Sequence, residues 1–340
     1  MVREQVTIGV DLGGTKLMAA LVDSDGHVSS LRRWPGRAPG YDQALDAIVE
    51  LVEQLRCEAE DQGDAVVAVG VAIAAFLSVD RDRVCEATNL VGWRDRSFRA
   101  DLRERIGLPV VIENDGDAAV WGEYVHGAGQ GERCVAMATV GTGIGGGVVI
   151  GGNLISGGYG LAGEFGHLQV VPDGRACGCG ARGCLEAYAS GTALTRSVRA
   201  GAAADPEGAR RLLNRAGGDP QRIDGPSITA LAIDGDLMAR RAIAELGEWL
   251  GVGLAQVTSV VDPSVIVVGG GLVDRAGALI IDPARIAYGA RLSNCRFRPL
   301  APLRRASLGN TAGLVGAATL AGGAAPLREL QTADLRQAVD

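Results

Sequence analysis

No long run of lysine or arginine occurs in this sequence, and its formal net charge is −7 with a pI near 5.2. A chain with that balance repels a polyphosphate backbone, so nucleic acid is not an expected partner. No segment approaches twenty consecutive apolar residues; glycines and charges interrupt every long stretch, Ala65–Leu77 included. A membrane partner is therefore not expected either. Met1–Val10 lacks the charged region and apolar core of a secretory signal, which makes the cytoplasm the expected location. Cysteine does not form an even, regular set: of seven, three fall between Cys177 and Cys184, while Cys57, Cys85, Cys134 and Cys295 are scattered. That pattern excludes a disulfide framework and leaves one metal site plus buried thiols. What abounds is glycine, 51 residues in 340, about twice the usual share. The glycines cluster in a few discrete loops, as they do where a backbone must approach a ligand closely.

The order of elements reads as α/β, and the length suggests two domains. An apolar strand at Val6–Leu12 runs into Gly13-Gly14-Thr15-Lys16, and a second strand, Leu17–Val22, is followed by a third at Val28–Arg33. Apolar residues at three- and four-residue spacing predict a helix over Gln43–Arg56. Val66–Ala74 reads as a buried strand, Phe98–Ile106 as a helix and Val110–Glu113 as a strand. About 130 residues after the first glycine turn the pattern recurs: strand Cys134–Val140, a glycine turn over Gly141–Gly147, and a returning strand at Val148–Ile150. Two related halves with one phosphate loop each are expected, facing a shared cleft. The stretch Ala200–Pro226, polar and rich in Gly, Asp, Arg and Pro, reads as a mobile loop or insertion. A long helix at Leu237–Val261 and a strand at Val265–Val268 follow, then Gly269-Gly270-Gly271. The division expected is a small lobe over 1–115 joined by a helix at 311–322, a large lobe over 116–310, and a tail over 323–340.

Three clusters carry chemistry. Asp11 to Lys16 sits at a strand end, where backbone amides can cradle phosphate oxygens and Asp11 can hold Mg²⁺; the same residues also suit a plain hairpin with a capping Asp. Its spacing fits neither a P-loop nor a Rossmann fingerprint. Glu113-Asn114-Asp115 ends a strand and begins a helix. Asp115 there can accept a proton from a substrate hydroxyl or serve only as the helix N-cap, and Asn114 can both donate and accept at a sugar diol. His167, Cys177, Cys179 and Cys184 supply one imidazole and three thiols within eighteen residues. That is a structural Zn²⁺ set, closed to catalysis because four protein ligands leave no open position.

Asp11–Lys16, Glu113–Asp115, Val140–Gly147, Gly163-Glu164-Phe165-Gly166-His167 and Cys177–Glu186 occur together and in order. In this the chain resembles the ROK family (repressor, open reading frame, kinase), most of all its actinobacterial ATP-dependent glucokinases, and the likeness extends to about Leu320. The resemblance implies the two-domain actin-like (ribonuclease-H-like) ATPase fold with a cleft between the lobes. It implies phosphorylation of the C6 hydroxyl of a glucose-configured hexose by ATP and Mg²⁺, with Asp115 as general base. Asn114, Asp115, Glu164, His167 and Glu186 would bind the sugar, with His167 giving one ring nitrogen to zinc and the other to a hydroxyl. Gly13, Gly14, Thr15 and Lys16 with Gly141, Thr142 and Gly143 would receive phosphates, and Gly269, Gly270 and Gly271 the adenosine side. The family also implies a homodimer or homotetramer.

The chain departs from the glucokinase pattern near the expected sugar pocket. Gly116 and Asp117 stand where Ala and Asn are usual, Ala75 replaces a glycine, Ser78 an Asp, and Leu185-Glu186-Ala187 replaces Trp-Glu-Gln. Asp117 close to Asp115 suggests a pair of carboxylates that would welcome a cation, hence an amino sugar such as glucosamine or kanosamine (3-amino-3-deoxyglucose). Other rivals are an N-acetylmannosamine kinase, a sugar sensor, for which Asp115 is an unexpected residue, and a repressor. Asp11 begins ten residues from the start, which leaves no room for a helix-turn-helix.

Overall fold

The computed structural model describes residues 4–14, 16–35, 40–87, 90, 92–293 and 297–323. Thr15, Cys295 and the tail beyond Gly323 lie outside the described residues. The chain forms two compact units. The first takes the residues up to Gln130, Leu154–Ala162 and those from Thr311 onward; the second takes Gly131–Asn153 and Gly163–Asn310.

In the first unit, alternation of Val, Ile and Leu builds β1 (Gln5–Gly13), which folds back antiparallel on β2 (Lys16–Val22) and β3 (Val28–Arg33). β4 (Ala65–Ile73) pairs parallel with β1, and β7 (Val110–Asn114) parallel with β4, giving the order β3-β2-β1-β4-β7. A short hairpin, β5 (Phe76–Leu77) with β6 (Val84–Glu86), has no counterpart in the expected elements. One face of the sheet is covered by α1 (Tyr41–Gln62) and α2 (Phe98–Ile106), whose Ile48, Leu55, Phe98 and Leu102 are fully buried with Ile8, Val71 and Ile112 of the strands.

Beside the same sheet lie α3 (Asp115–His126) and the last helix, α10 (Ala312–Gly322). Here small residues let backbones touch. A Cβ on Gly70 would come 1.9 Å from the Ala317 carbonyl, and one on Gly316 only 1.7 Å from the Ala118 carbonyl. That contact explains a correction. The expected boundary at 115/116 falls at the first residue of α3, but α3 packs on α10 and so belongs to the first unit, which continues to Gln130.

The second unit repeats the strand plan. β8 (Cys134–Val140) and β9 (Ile144–Ile150) are antiparallel, with a two-residue edge strand, β10 (Asn153–Leu154), where the chain leaves the unit. β11 (Val265–Gly269) and β12 (Leu303–Arg305) join in parallel, giving β10-β9-β8-β11-β12. The expected glycine turn over Gly141–Gly147 is thus mostly strand: only 141–143 turn, and Gly145, Gly146 and Gly147 pair with Thr139, Ala138 and Met137. Glycine is required at Gly146 for space, since a Cβ there would lie 2.4 Å from the Phe165 ring.

Helices α4 (Glu186–Ala189), α5 (Gly191–Ala204), α6 (Arg210–Arg215), α7 (Gly225–Ile233), α8 (Leu237–Val261) and α9 (Gly271–Arg291) complete the unit. The polar stretch 200–226, expected as a mobile loop, is instead helical at both ends and in its middle. Ala202, Ala209, Leu212, Ala216 and Ile223 are buried and anchor it, and Asp224 caps α7 by accepting from Ser227 N at 2.8 Å. Among the described residues no helix is long and apolar enough to cross a membrane.

Candidate active site

The first unit positions one set of the expected residues. β1 and β2 pair through Gly13 and Lys16, and Gly14 lies in the turn that follows β1. Asp11, 7% exposed, meets the Lys16 ammonium at 2.5 Å. Lys16 itself is open to solvent over much of its length, which leaves it able to exchange this partner for a phosphate.

At the β7–α3 junction the helix cap is Asn114 rather than Asp115. Its Oδ1 accepts from Gly116 N at 2.8 Å and Asp117 N at 3.2 Å, and its Nδ2 donates to the Ala75 carbonyl at 3.2 Å. With both carbonyl lone pairs engaged, Asn114 can offer a ligand an N–H but no acceptor, which narrows its expected double role. Asp115 is the first residue of α3, half-buried, with Oδ1 accepting from Gly116 N at 3.0 Å.

Two residues on, Asp117 is not a second open carboxylate. It is 2% exposed, and its Oδ2 accepts from Arg81 Nη2 at 3.2 Å, while Arg81 Nε lies 2.7 Å from Glu113 Oε1. Sequence reasoning missed Arg81: within Asp80-Arg81-Asp82-Arg83 it looks like one charge of a solvated turn, and nothing in the spacing marks it as the buried one.

The second unit assembles the other set. Gly141, Thr142 and Gly143 form a tight loop held by the start of α5: Gly191 N donates to the Gly141 carbonyl at 2.8 Å, and Thr192 Oγ1 to the Thr142 carbonyl at 2.9 Å. Gly270 follows β11 with φ +94° and precedes the first turn of α9; a Cβ on it would lie 2.6 Å from Val140 N. Gly269, Gly270 and Gly271 therefore sit against the strand end from which the 141–143 loop springs. Two helix N-termini, of α5 and α9, adjoin that loop, and such ends attract phosphate oxygens.

Glu186, the first residue of α4, reaches the same loop and accepts from Ile144 N at 2.9 Å. Glu164 precedes and His167 ends a 3₁₀ turn, Phe165–His167, that rests on β9, where a Cβ on Gly166 would meet the Ile144 carbonyl at 2.4 Å. Burial pushes the Glu164 carboxyl above its usual range; the His167 ring opposes this and the Glu186 charge adds to it.

His167 faces two ways. Its Nε2 is 3.8 Å from Glu164 Oε2, and its Nδ1 is 3.9 Å from Cys177 Sγ. Cys179 Sγ and Cys184 Sγ are 3.7 Å apart, and the four donor atoms of His167, Cys177, Cys179 and Cys184 all lie within 4.8 Å of one another. Sulfur–sulfur separations near 3.7 Å are what ~2.3 Å Zn–S bonds in a tetrahedron require, so the donor set fits zinc.

Fold and site together define a two-unit α/β protein with a glycine loop in each unit, a carboxylate at a helix start and a Cys₃His cluster under a carboxylate–imidazole pair. The ROK family profile matches residues 7–324, and the chain belongs to that family. It is 45% identical over 317 residues to the glucokinase of Streptomyces coelicolor, covering 93% of this chain and 97% of the relative. The crystal structure of a ROK family glucokinase from Streptomyces griseus, in complex with glucose and AMPPNP, superposes with a TM-score of 0.84 at 44% identity, covering 93% and 99% of the two chains. The N-acetylmannosamine kinase of Salmonella typhi is 34% identical over 324 residues, 93% and 98% of the two chains. The fold is that of the actin-like ATPases, as expected.

Proposed function

We propose that this ATP-dependent sugar kinase is a glucokinase that transfers the γ-phosphoryl group of ATP to the C6 hydroxyl of glucose, with Asp115 as general base. The observation that supports the base assignment is the Asn114 cap: its Oδ1 takes the helix-start role that would otherwise be the plain reading of Asp115. The new bond joins O6 to the γ-phosphorus as the bond to the β-phosphate oxygen breaks, and Asp115 receives the O6 proton. Such a transition state needs positioning and charge neutralisation more than covalent help. The amides and helix starts around Gly141–Gly143 suit the phosphates, with Gly269–Gly271 on the nucleoside side and Gly13, Gly14 and Lys16 as further phosphate contacts. Asn114, Glu164, His167 Nε2 and Glu186 suit the sugar hydroxyls. Asp11 is the carboxylate available to Mg²⁺, in exchange for Lys16. Zinc on His167 Nδ1, Cys177, Cys179 and Cys184 would fix the loop that bears Glu164; such a closed site supplies folding energy and not catalysis. Self-association as a dimer or tetramer belongs to the same reading.

An amino sugar is not favoured. The cation that Asp117 was expected to attract is Arg81 of the same unit, and the relative at 45% identity is a glucokinase. The N-acetylmannosamine kinase is the more distant relative. The test is glucose-dependent consumption of ATP, with the product identified by ³¹P and ¹³C NMR as phosphorylated at C6. A higher kcat/KM on glucosamine or 3-amino-3-deoxyglucose than on glucose would overturn the substrate; no ATP turnover with any of the three would overturn the reaction.

A further inference from the structure

Arg81 is the least expected side chain in the first unit. Its residue is 3% exposed, it adopts φ +55°, a left-handed conformation unusual for a long side chain, and its guanidinium is shared among several partners. Nε meets Glu113 Oε1 at 2.7 Å and Nη2 meets Asp117 Oδ2 at 3.2 Å. Nη1 donates to the carbonyls of Gly160, at 3.2 Å, and Ser78, at 3.5 Å. Both carboxylates are themselves nearly solvent-free, at 6% and 2% exposure for Glu113 and Asp117.

Glu113 and Asp117 are the residues two before and two after Asp115. Glu113 is on β7 and Asp117 in the first turn of α3, so one planar cation spans the strand-to-helix junction with Asp115 between its two anchors. Glu113 Oε1 also accepts from Asn114 N at 2.8 Å, which ties the same fork to the capping residue. A buried ionic triad is no better for stability than apolar groups of the same volume, so what it adds is a fixed geometry. Arg suits this task and Lys does not, because only a guanidinium presents several donors in one rigid plane. The third arm of the fork, on Gly160, holds the 154–162 segment of the same unit.

We propose that Arg81 is a positioning residue for Asp115: its guanidinium, bridging Glu113 and Asp117, locks the β7–α3 junction so that the base carboxylate points in one direction. The inference rests on Asp115 being the general base. Removing Arg81 both frees the junction and takes away the cation that bridges two buried carboxylates beside the base.

The experiment compares wild type, Arg81→Met, Arg81→Lys and the double variant Arg81→Met/Asp117→Asn in steady-state kinetics with glucose and ATP, with thermal unfolding recorded for each. For Arg81→Met, kcat falls roughly 10²-fold while KM for ATP stays within about threefold, since displacement of a reacting group by about 1 Å costs turnover and not nucleotide binding. Adding Asp117→Asn removes one of the two charges that Arg81 bridges and raises kcat about fivefold above the Arg81→Met value, a coupling that simple loss of packing does not produce. Arg81→Lys keeps the charge without the fork and loses kcat roughly tenfold; it also carries the test if Arg81→Met does not fold. A folded Arg81→Met or Arg81→Lys protein with kcat within about threefold of wild type overturns the proposal, as does a further loss in the double variant. Wild-type protein with no glucose kinase activity would remove the underlying reading and this proposal with it, whereas an active wild type with indifferent Arg81 variants removes only the proposal.

Discussion

The two units share a strand plan but hold their candidate residues by different means. In each, a hairpin at one side of a five-stranded sheet turns through glycines, and two parallel strands complete the sheet. The first hairpin closes at Gly13 and Lys16 and brings Asp11 and Lys16 into an ion pair. The second closes at Val140 and Ile144 through three residues without a charge, and the nearest carboxylate, Glu186, comes from a helix 42 residues along the chain. The first unit fixes Asp115 with a buried arginine and two buried carboxylates; the second fixes Glu164 and His167 with glycine-tight backbone contacts and a thiol–imidazole cluster. One frame thus holds its candidate residues through ionic side chains in one unit and through backbone contacts and a thiol–imidazole cluster in the other.

The sharpest way to separate the two is Asp115→Asn. The amide keeps the size of the carboxylate and can still accept from Gly116 N, so the cap and the junction survive. Loss of a general base costs roughly 10²–10⁴-fold in kcat. Bound zinc, glucose affinity by calorimetry and the unfolding temperature are expected to stay at wild-type values. Turnover close to wild type would dissolve the contrast, because the first unit would then hold no reacting group.

Cys184→Ser probes the other side. Cys184 is buried at 1% exposure and faces Cys179, so the hydroxyl replaces a soft ligand inside the cluster. Zinc measured by elemental analysis is expected to fall from about one per chain to a small fraction of that, and the unfolding temperature to drop, since metal bound at such a closed site would contribute folding free energy. KM for glucose is expected to rise about tenfold through the loosened Glu164 and His167. Full zinc content in the variant would show that the four donors are not the ligand set.

Much of this plan was legible beforehand. Helices Phe98–Ile106 and Leu237–Val261 and strand Cys134–Val140 follow from periodicity and β-branched content and are found at those bounds. The five ordered motifs led to the family that the profile match and the relatives bear out. Three things were not legible, each for a physical reason. A run of glycines reads the same whether it supplies conformational freedom or space, so Gly145–Gly147 looked like turn and are strand. A polar stretch gives little periodic signal when only a few of its residues are buried, so the helices within 200–226 were missed. Charge neutralisation between residues 36 apart in sequence leaves no local trace, so Asp117 looked available while Arg81 already engaged it.

The smallest expected effect concerns the two glycine turns themselves. Lys16 is 43% exposed along its side chain, and its pair with Asp11 is of the half-exposed kind that contributes little to stability. Lys16→Met should therefore change unfolding free energy by less than about 1 kcal/mol. If Lys16 exchanges Asp11 for a phosphate when ATP binds, KM for ATP rises roughly tenfold and the change shrinks at high ionic strength, as a charge contact does. The matching change in the second turn, Thr142→Ala, keeps the carbonyl that Thr192 Oγ1 engages and removes only an uncharged hydroxyl. A change in KM smaller than that of Lys16→Met, and insensitive to salt, is expected for it. Equal, salt-independent effects at both positions would mean that the two turns hold nucleotide in the same way, through backbone alone, and that the ion pair of the first unit has no part in binding.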